Sequence, residues 1–291
     1  MSQSVASRRQ RYWDLRAAGN FSGGGTGAGL IVTAAAAAAL GAPFRLALAL
    51  GLGLVVAGLS LVWLEIGKPW RALNVFFHPQ TSWMTREGIM ASLLVPAGLF
   101  AIVGGGAPAA GLAAMLAAGF LFCQARILRA ARGIPAWRQA QSVPWMLATG
   151  LAEGSGVYLI AGAHGAGWLG FALLAGLARE AAWRAYRAGL AGTPAATRSV
   201  AVFAAAPARR LHAAQLAGLA LIALALAAAA GGVAPGPAAG LAVAGGALAA
   251  LAGWGMKALL ITRAGFTRAV AIPMVPTRGN GGRHARQTAR S

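Results

Sequence analysis

Apolar stretches of about 20 residues recur along this chain, and its cations collect at every second junction between them. A helix needs about 20 mostly apolar residues to cross the hydrocarbon of a bilayer. Runs of that kind lie near 20–41, 46–66, 87–105, 108–126, 143–163, 165–182, 211–232 and 236–262. They predict an all-α, polytopic membrane protein with about eight transmembrane helices. Charged residues are only 10% of the chain, against roughly 25% in an ordinary soluble domain. So few charges could not cover the surface of a soluble protein of this size. The excess of cations, 25 Lys and Arg against 5 Asp and Glu, would in a soluble chain suggest nucleic acid. Placed between apolar runs, it points to a lipid bilayer instead.

The cations also set an orientation. Arg8, Arg9, Arg11 and Arg16 precede the first run, and Lys68, Arg71 and Arg86 follow the second. Arg126, Arg129, Arg132 and Arg138 separate runs four and five. Arg179, Arg184, Arg187, Arg198, Arg209 and Arg210 surround the junction of runs six and seven. Lys257 and six arginines from Arg263 to Arg290 end the chain, while the alternate junctions hold Arg45 alone. By the positive-inside rule the cation-rich face is cytoplasmic, with both termini on it. Residues 1–19 then form a basic cytoplasmic segment, 20–262 an eight-helix membrane domain, and 263–291 a basic cytoplasmic tail. The expected location is a bacterial inner (cytoplasmic) membrane.

Several classes drop out. The single Cys123 leaves no disulfide framework, Cys-ligated zinc or iron–sulfur cluster for this chain to hold alone. Bis-histidine haem needs two His at similar depth on facing helices. His164 falls at one membrane edge, His212 at the other, His78 in a connection and His284 in the tail, so no pair matches. We expect neither haem nor metal in this chain. No apolar run lies before residue 20, which argues against a cleavable signal peptide.

Charges inside membrane spans are costly and by default suggest function. Of the five acids, Asp14 precedes the first run, Glu65 ends the second, Glu87 opens the third and Glu180 closes the sixth. Glu180 has Arg184 one turn later, the spacing of a structural ion pair. Glu153 lies about ten residues into the fifth run, roughly 15 Å deep at 1.5 Å per residue. It suits either a carboxyl group bonded to a neighbouring helix or part of a proton path.

Glu65 and Glu87 bracket a connection that contains Trp70, Arg71, Asn74, His78, Trp83 and Arg86. A plain loop needs little beyond Gly, Pro and Ser. The tryptophans could be interfacial anchors. Alternatively, Trp, Arg, His and Glu at one membrane face could line a pocket for a flat, amphipathic ligand with exchangeable protons, such as a quinone. Such a ring needs aromatic walls, donors for its carbonyls, and a carboxylate or imidazole to pass protons. Ala and Gly enrich all the runs, and Gly23-Gly24-Gly25 with Gly27 and Gly29 suggests a helix packed closely against something.

These residues carry a family resemblance. The Gly-rich first run (Asn20 to Gly29), the exit of the second (Glu65-Ile66-Gly67-Lys68-Pro69-Trp70-Arg71-Ala72-Leu73-Asn74) and the start of the third (Ser82-Trp83-Met84-Thr85-Arg86-Glu87) resemble the membrane-anchor subunits of complex iron–sulfur molybdoenzymes. That is the family of dimethyl sulfoxide reductase and polysulfide reductase anchors, and within it the phenylacetyl-CoA:acceptor oxidoreductase branch is most similar. The resemblance implies a haem-free anchor that exchanges electrons between a ferredoxin-like iron–sulfur subunit and the quinone pool. A molybdopterin catalytic subunit would complete the complex, with the clusters and molybdopterin held by these partners. It further implies a quinone site at Asn20, Trp70, Arg71 and Trp83, with Glu65, Glu87 and His78 handling protons or carbonyl contacts. Related anchors commonly have His where this chain has Glu65, so a carboxylate would replace an imidazole there.

The orientation places that site, and hence the catalytic partners, on the cytoplasmic face. Two other readings compete. A small-solute or ion transporter would use Glu153 at mid-membrane, though no inverted repeat is evident. A purely structural anchor would leave the aromatic and acidic cluster of the connection without a role.

Overall fold

The computed structural model describes residues 3–64, 69–232 and 235–272. Helix α1 (Leu15–Ala39) begins five residues before the expected run because Asp14 caps it, its carboxylate accepting a hydrogen bond from the Arg16 amide at 2.7 Å. That bond and the Arg16 side chain hold the Asp14 carboxyl below the usual carboxylate range. The other long helices are α2 (Arg45–Trp63), α3 (Trp83–Phe100), α4 (Gly106–Ala130), α6 (Ser142–Ile160), α7 (Ala166–Ala191), α9 (Ala206–Ala230) and α10 (Pro235–Ala258). Short α5 (Pro135–Arg138) and α8 (Thr197–Ala204) lie in two of the basic connections.

Each predicted run therefore holds one long helix. Five helical stretches are long and apolar enough to cross a membrane: Leu15–Ala39, Arg45–Trp63, Trp83–Ala130, Ala206–Ala230 and Gly236–Arg263. The third contains both α3 and α4. They are separated by a π-helical turn at Ala101–Gly105 and by Gly106, whose φ of 57° is open to glycine without strain. Helices α3 and α4 then pack on each other as a hairpin. Helices α6 and α7 fall outside the five stretches and carry polar residues within their length, among them Glu153, Arg179 and Glu180.

Helix α1 is the axis of the bundle, packed by α2, α4, α6 and α10. Its glycines explain how four helices approach one. A side chain at Gly23 or Gly27 would meet the α2 backbone at Leu54 or Gly51, one at Gly24 would meet Gln124 of α4, and one at Gly29 the α6 backbone at Gly150. Close approach of backbones through small residues is what holds helices together where the surroundings are apolar. Gly29→Leu should accordingly destabilise the purified protein by roughly 1–3 kcal/mol or more, as overpacking does. Gly53→Ala, where nothing lies within 4 Å, should leave the thermal midpoint unchanged; equal midpoints for both variants would refute the packing assignment.

At the cation-rich end the connections are packed. Trp145 lies 4.9 Å from Trp183 and 4.8 Å from Tyr186, centroid to centroid. The Trp137 indole of α5 donates to the Leu260 carbonyl at 2.9 Å, and the Tyr186 hydroxyl donates to Ala136 at 3.0 Å. The chain's two end segments also meet here. Strand β1 (Gln3–Val5) pairs antiparallel with β2 (Val270–Ile272), Arg9 bridges Phe266, and the Gln10 side chain donates to the Ile261 carbonyl at 2.8 Å. Among the described residues, the stretches 3–10 and 261–272 thus lie side by side. Helix α7 runs to Ala191, nine residues past the expected end at 182, as an extension carrying Arg184 and Arg187 into this layer.

Candidate functional site

Helix α3 starts at Trp83, four residues inside the predicted connection, and its first turn gathers that connection. Ser82 caps it, its hydroxyl accepting from the Thr85 amide at 3.2 Å, and the Thr85 hydroxyl donates to the Val75 carbonyl. The Arg86 guanidinium donates to the carbonyls of Pro79 at 2.8 Å and Gln80 at 2.9 Å, pinning the segment against α3. The same guanidinium lies 4.2 Å from the Trp83 ring, whose other cationic neighbour is Arg126 of α4 at 4.4 Å. Phe122 meets Trp83 edge-on at 5.7 Å. Arg86, which the sequence groups with the residues that could line a pocket, is thus a clamp on the connection.

One turn further along α3, Glu87 is buried and faces the side-chain amides of Gln124 (α4) and Asn20 (α1). The Gln124 amide also donates to the Asn20 backbone carbonyl at 3.3 Å. Asn20 Oδ1, Glu87 Oε1 and Gln124 Oε1 are all buried without a hydrogen-bond partner among the described residues. A buried acceptor left in that state costs roughly 1–3 kcal/mol. Three together make a concentrated demand for hydrogens. Water, a proton on Glu87 or a ligand hydroxyl would each meet part of it.

The structure therefore brings Asn20 and Glu87 together and sets Trp83 one turn from Glu87. His78 stands apart: it is exposed, and its ring has no hydrogen-bond partner among the described residues. Glu65 lies outside the described residues, as do the side chains of Trp70 and Arg71. Sequence reasoning missed Gln124 because a neutral amide in an Ala-rich helix sends no charge signal.

Glu153 forms a second buried cluster. Its Oε2 accepts from Lys257 of α10 at 2.6 Å and from the Thr26 hydroxyl of α1 at 2.7 Å. Lys257 also donates to the Phe21 carbonyl at 3.1 Å, and the Trp254 indole donates to Thr26 at 2.8 Å. Both charged side chains are 0% exposed. A side chain at Gly25 would collide with the Lys257 ammonium and one at Gly253 with the Glu153 carboxylate, so these glycines make the room for the pair. Arg179 is buried nearby and donates to the Ala249 carbonyl at 2.7 Å. Lys257 and Arg179, counted from sequence among the surface cations, are interior residues. The orientation argument still has the other cations of that face.

Glu180 forms the expected pair with Arg184 at 2.7 Å, and two residues of α9 join it. Its carboxylate also contacts His212 at 2.9 Å and accepts from Gln215 at 3.0 Å. No protein-family model and no curated protein matches this chain.

Proposed function

We propose that this chain is an eight-span, haem-free membrane anchor that exchanges electrons between a ferredoxin-like iron–sulfur subunit and the quinone pool, on behalf of a molybdopterin catalytic subunit. The observation that carries this reading is the meeting of Asn20, Glu87 and Gln124. Two of these residues stand 67 positions apart in the sequence, and each of the three has a buried oxygen without a hydrogen-bond partner among the described residues. When bound, a quinone supplies two-electron, two-proton redox chemistry. A buried carboxyl group beside two side-chain amides suits the proton half of that chemistry. Glu87 would hold a proton, Asn20 and Gln124 would orient a ring oxygen, and Trp83 with Phe122 would wall the ring. Arg86 and Arg126, stacked on Trp83, fix that wall.

Eight crossings place both termini on one face, and the pairing of β1 with β2 at the cation-rich end supports an even count. We place that face in the cytoplasm of a bacterial inner membrane, with the iron–sulfur and molybdopterin partners docked on it. Reporter fusions after residue 78 and after residue 272 should both read cytoplasmic; a periplasmic signal from either refutes the orientation. Affinity purification from native membranes should bring down an iron–sulfur subunit and a molybdopterin subunit lacking an export signal. Recovery of the chain alone would refute the anchor reading. A transporter working through Glu153 is less well supported, because that carboxylate is engaged by Lys257 and Thr26 and sealed from solvent.

A further inference from the structure

The cleft between α7, α8 and α9 has the makings of a second binding site, one the connection after α2 does not explain. It measures about 410 Å3 and is lined by Trp183, Phe203, Arg184, Arg187 and His212, among others, a size in the range of small-molecule pockets. Trp183 and Phe203 stand edge to face, 5.2 Å apart, as two aromatic walls. His212 turns its Nε2 to both oxygens of Glu180, at 2.9 and 3.1 Å. Gln215 and Arg184 hold that carboxylate from two other directions. In the neutral ring, a carboxylate at Nε2 selects the tautomer with its proton on that nitrogen and leaves Nδ1 as an acceptor. Nδ1 has no partner among the described residues. The Arg187 guanidinium, 5.9 Å from the Trp183 ring, stands at the rim as a donor for a second oxygen.

We propose that this cleft binds a planar ring bearing hydroxyl and carbonyl oxygens, the ring lying against Trp183 and Phe203. A hydroxyl would donate to His212 Nδ1 and a second oxygen would accept from Arg187. Two sources carry that chemistry: a membrane-borne quinol and a soluble hydroxyaromatic acid. The site does not depend on the Asn20–Glu87–Gln124 cluster, which lies on other helices.

The test is photo-crosslinking of the full chain in proteoliposomes with an azido-substituted hydroquinone, whose hydroxyls can donate to Nδ1, followed by peptide mapping. Labelling should fall on residues 183–203 and on the peptide that contains His212. His212→Gln keeps a donor for Glu180 while removing Nδ1, so labelling should drop about fivefold, as for loss of one hydrogen bond, with the thermal midpoint unchanged. Competition by decyl-hydroquinone would assign the membrane source, and competition by 4-hydroxybenzoate the soluble one. Labelling confined to α1, α3 and α4 would overturn the proposal and leave the Glu87 site standing. Labelling that is indifferent to His212→Gln, or displaced by neither competitor, would also overturn it.

Discussion

Glu87→Gln should lower quinone-linked turnover of the assembled complex by about a hundredfold or more, the usual contribution of a positioned acid or base. The substitution keeps the shape of the side chain and its ability to hydrogen-bond Gln124 and Asn20, so the chain should assemble and the helices should pack as before. What it removes is the carboxyl group proposed to hold the proton, a group buried with one oxygen unpartnered among the described residues. The informative measurement pairs two acceptors. Reduction of a short-chain quinone should collapse, while reduction of an artificial dye that takes electrons directly from the partner subunits should be unchanged. Asn20→Leu and Gln124→Leu should each raise the apparent KM for quinone more than they lower kcat, because their assigned role is orientation. His78→Ala should have little effect on either, given the exposed position of that ring. Full quinone turnover in Glu87→Gln would remove Glu87 from the chemistry and with it the central support for the anchor reading.

Apolar runs located the eight long helices because length of apolar sequence is a property that tertiary contacts do not alter, although α6 and α7 are not among the five stretches apolar enough to cross a membrane. Helix ends were less legible. The α1 start at Leu15 depends on one side-chain cap from Asp14, and the α7 end at Ala191 on an extension anchored by Trp183 and Tyr186 in the aromatic layer. Within the site, scarcity made the acids visible: five acids in 291 residues mark themselves. Their partners did not. Gln124 carries no charge, and Lys257 sits six residues before Arg263 and reads as one more cation at a span's end. Nothing in a linear pattern distinguishes a lysine that snorkels to the surface from one folded back onto a carboxylate 104 residues away. Of the two glycines that make room for the pair, Gly25 belongs to the cluster that stands out in the sequence and Gly253 does not; each leaves space for a side chain of a neighbouring helix.

Lys257→Met should destabilise the protein by roughly 3–5 kcal/mol, the cost of leaving one member of a buried ion pair without its partner. Glu153 would then lie 0% exposed with only the Thr26 hydroxyl to serve it, in surroundings where a lone charge is expensive. Glu153→Gln should be harmful for the mirror reason, leaving a buried ammonium with only neutral acceptors, the Phe21 carbonyl among them, and no opposite charge. The double variant Glu153→Gln with Lys257→Met removes both charges and should recover most of the lost stability, since buried pairs are often replaceable by neutral groups of similar volume. Thermal unfolding of the four proteins closes the cycle. Strong coupling between the positions, with the double variant close to the parent and still active toward quinone, identifies the pair as a tie between α1, α6 and α10. Additive losses would show that the two charges do not act as a pair. A double variant that folds well but has lost quinone turnover would place Glu153 in the proton route rather than in the scaffold.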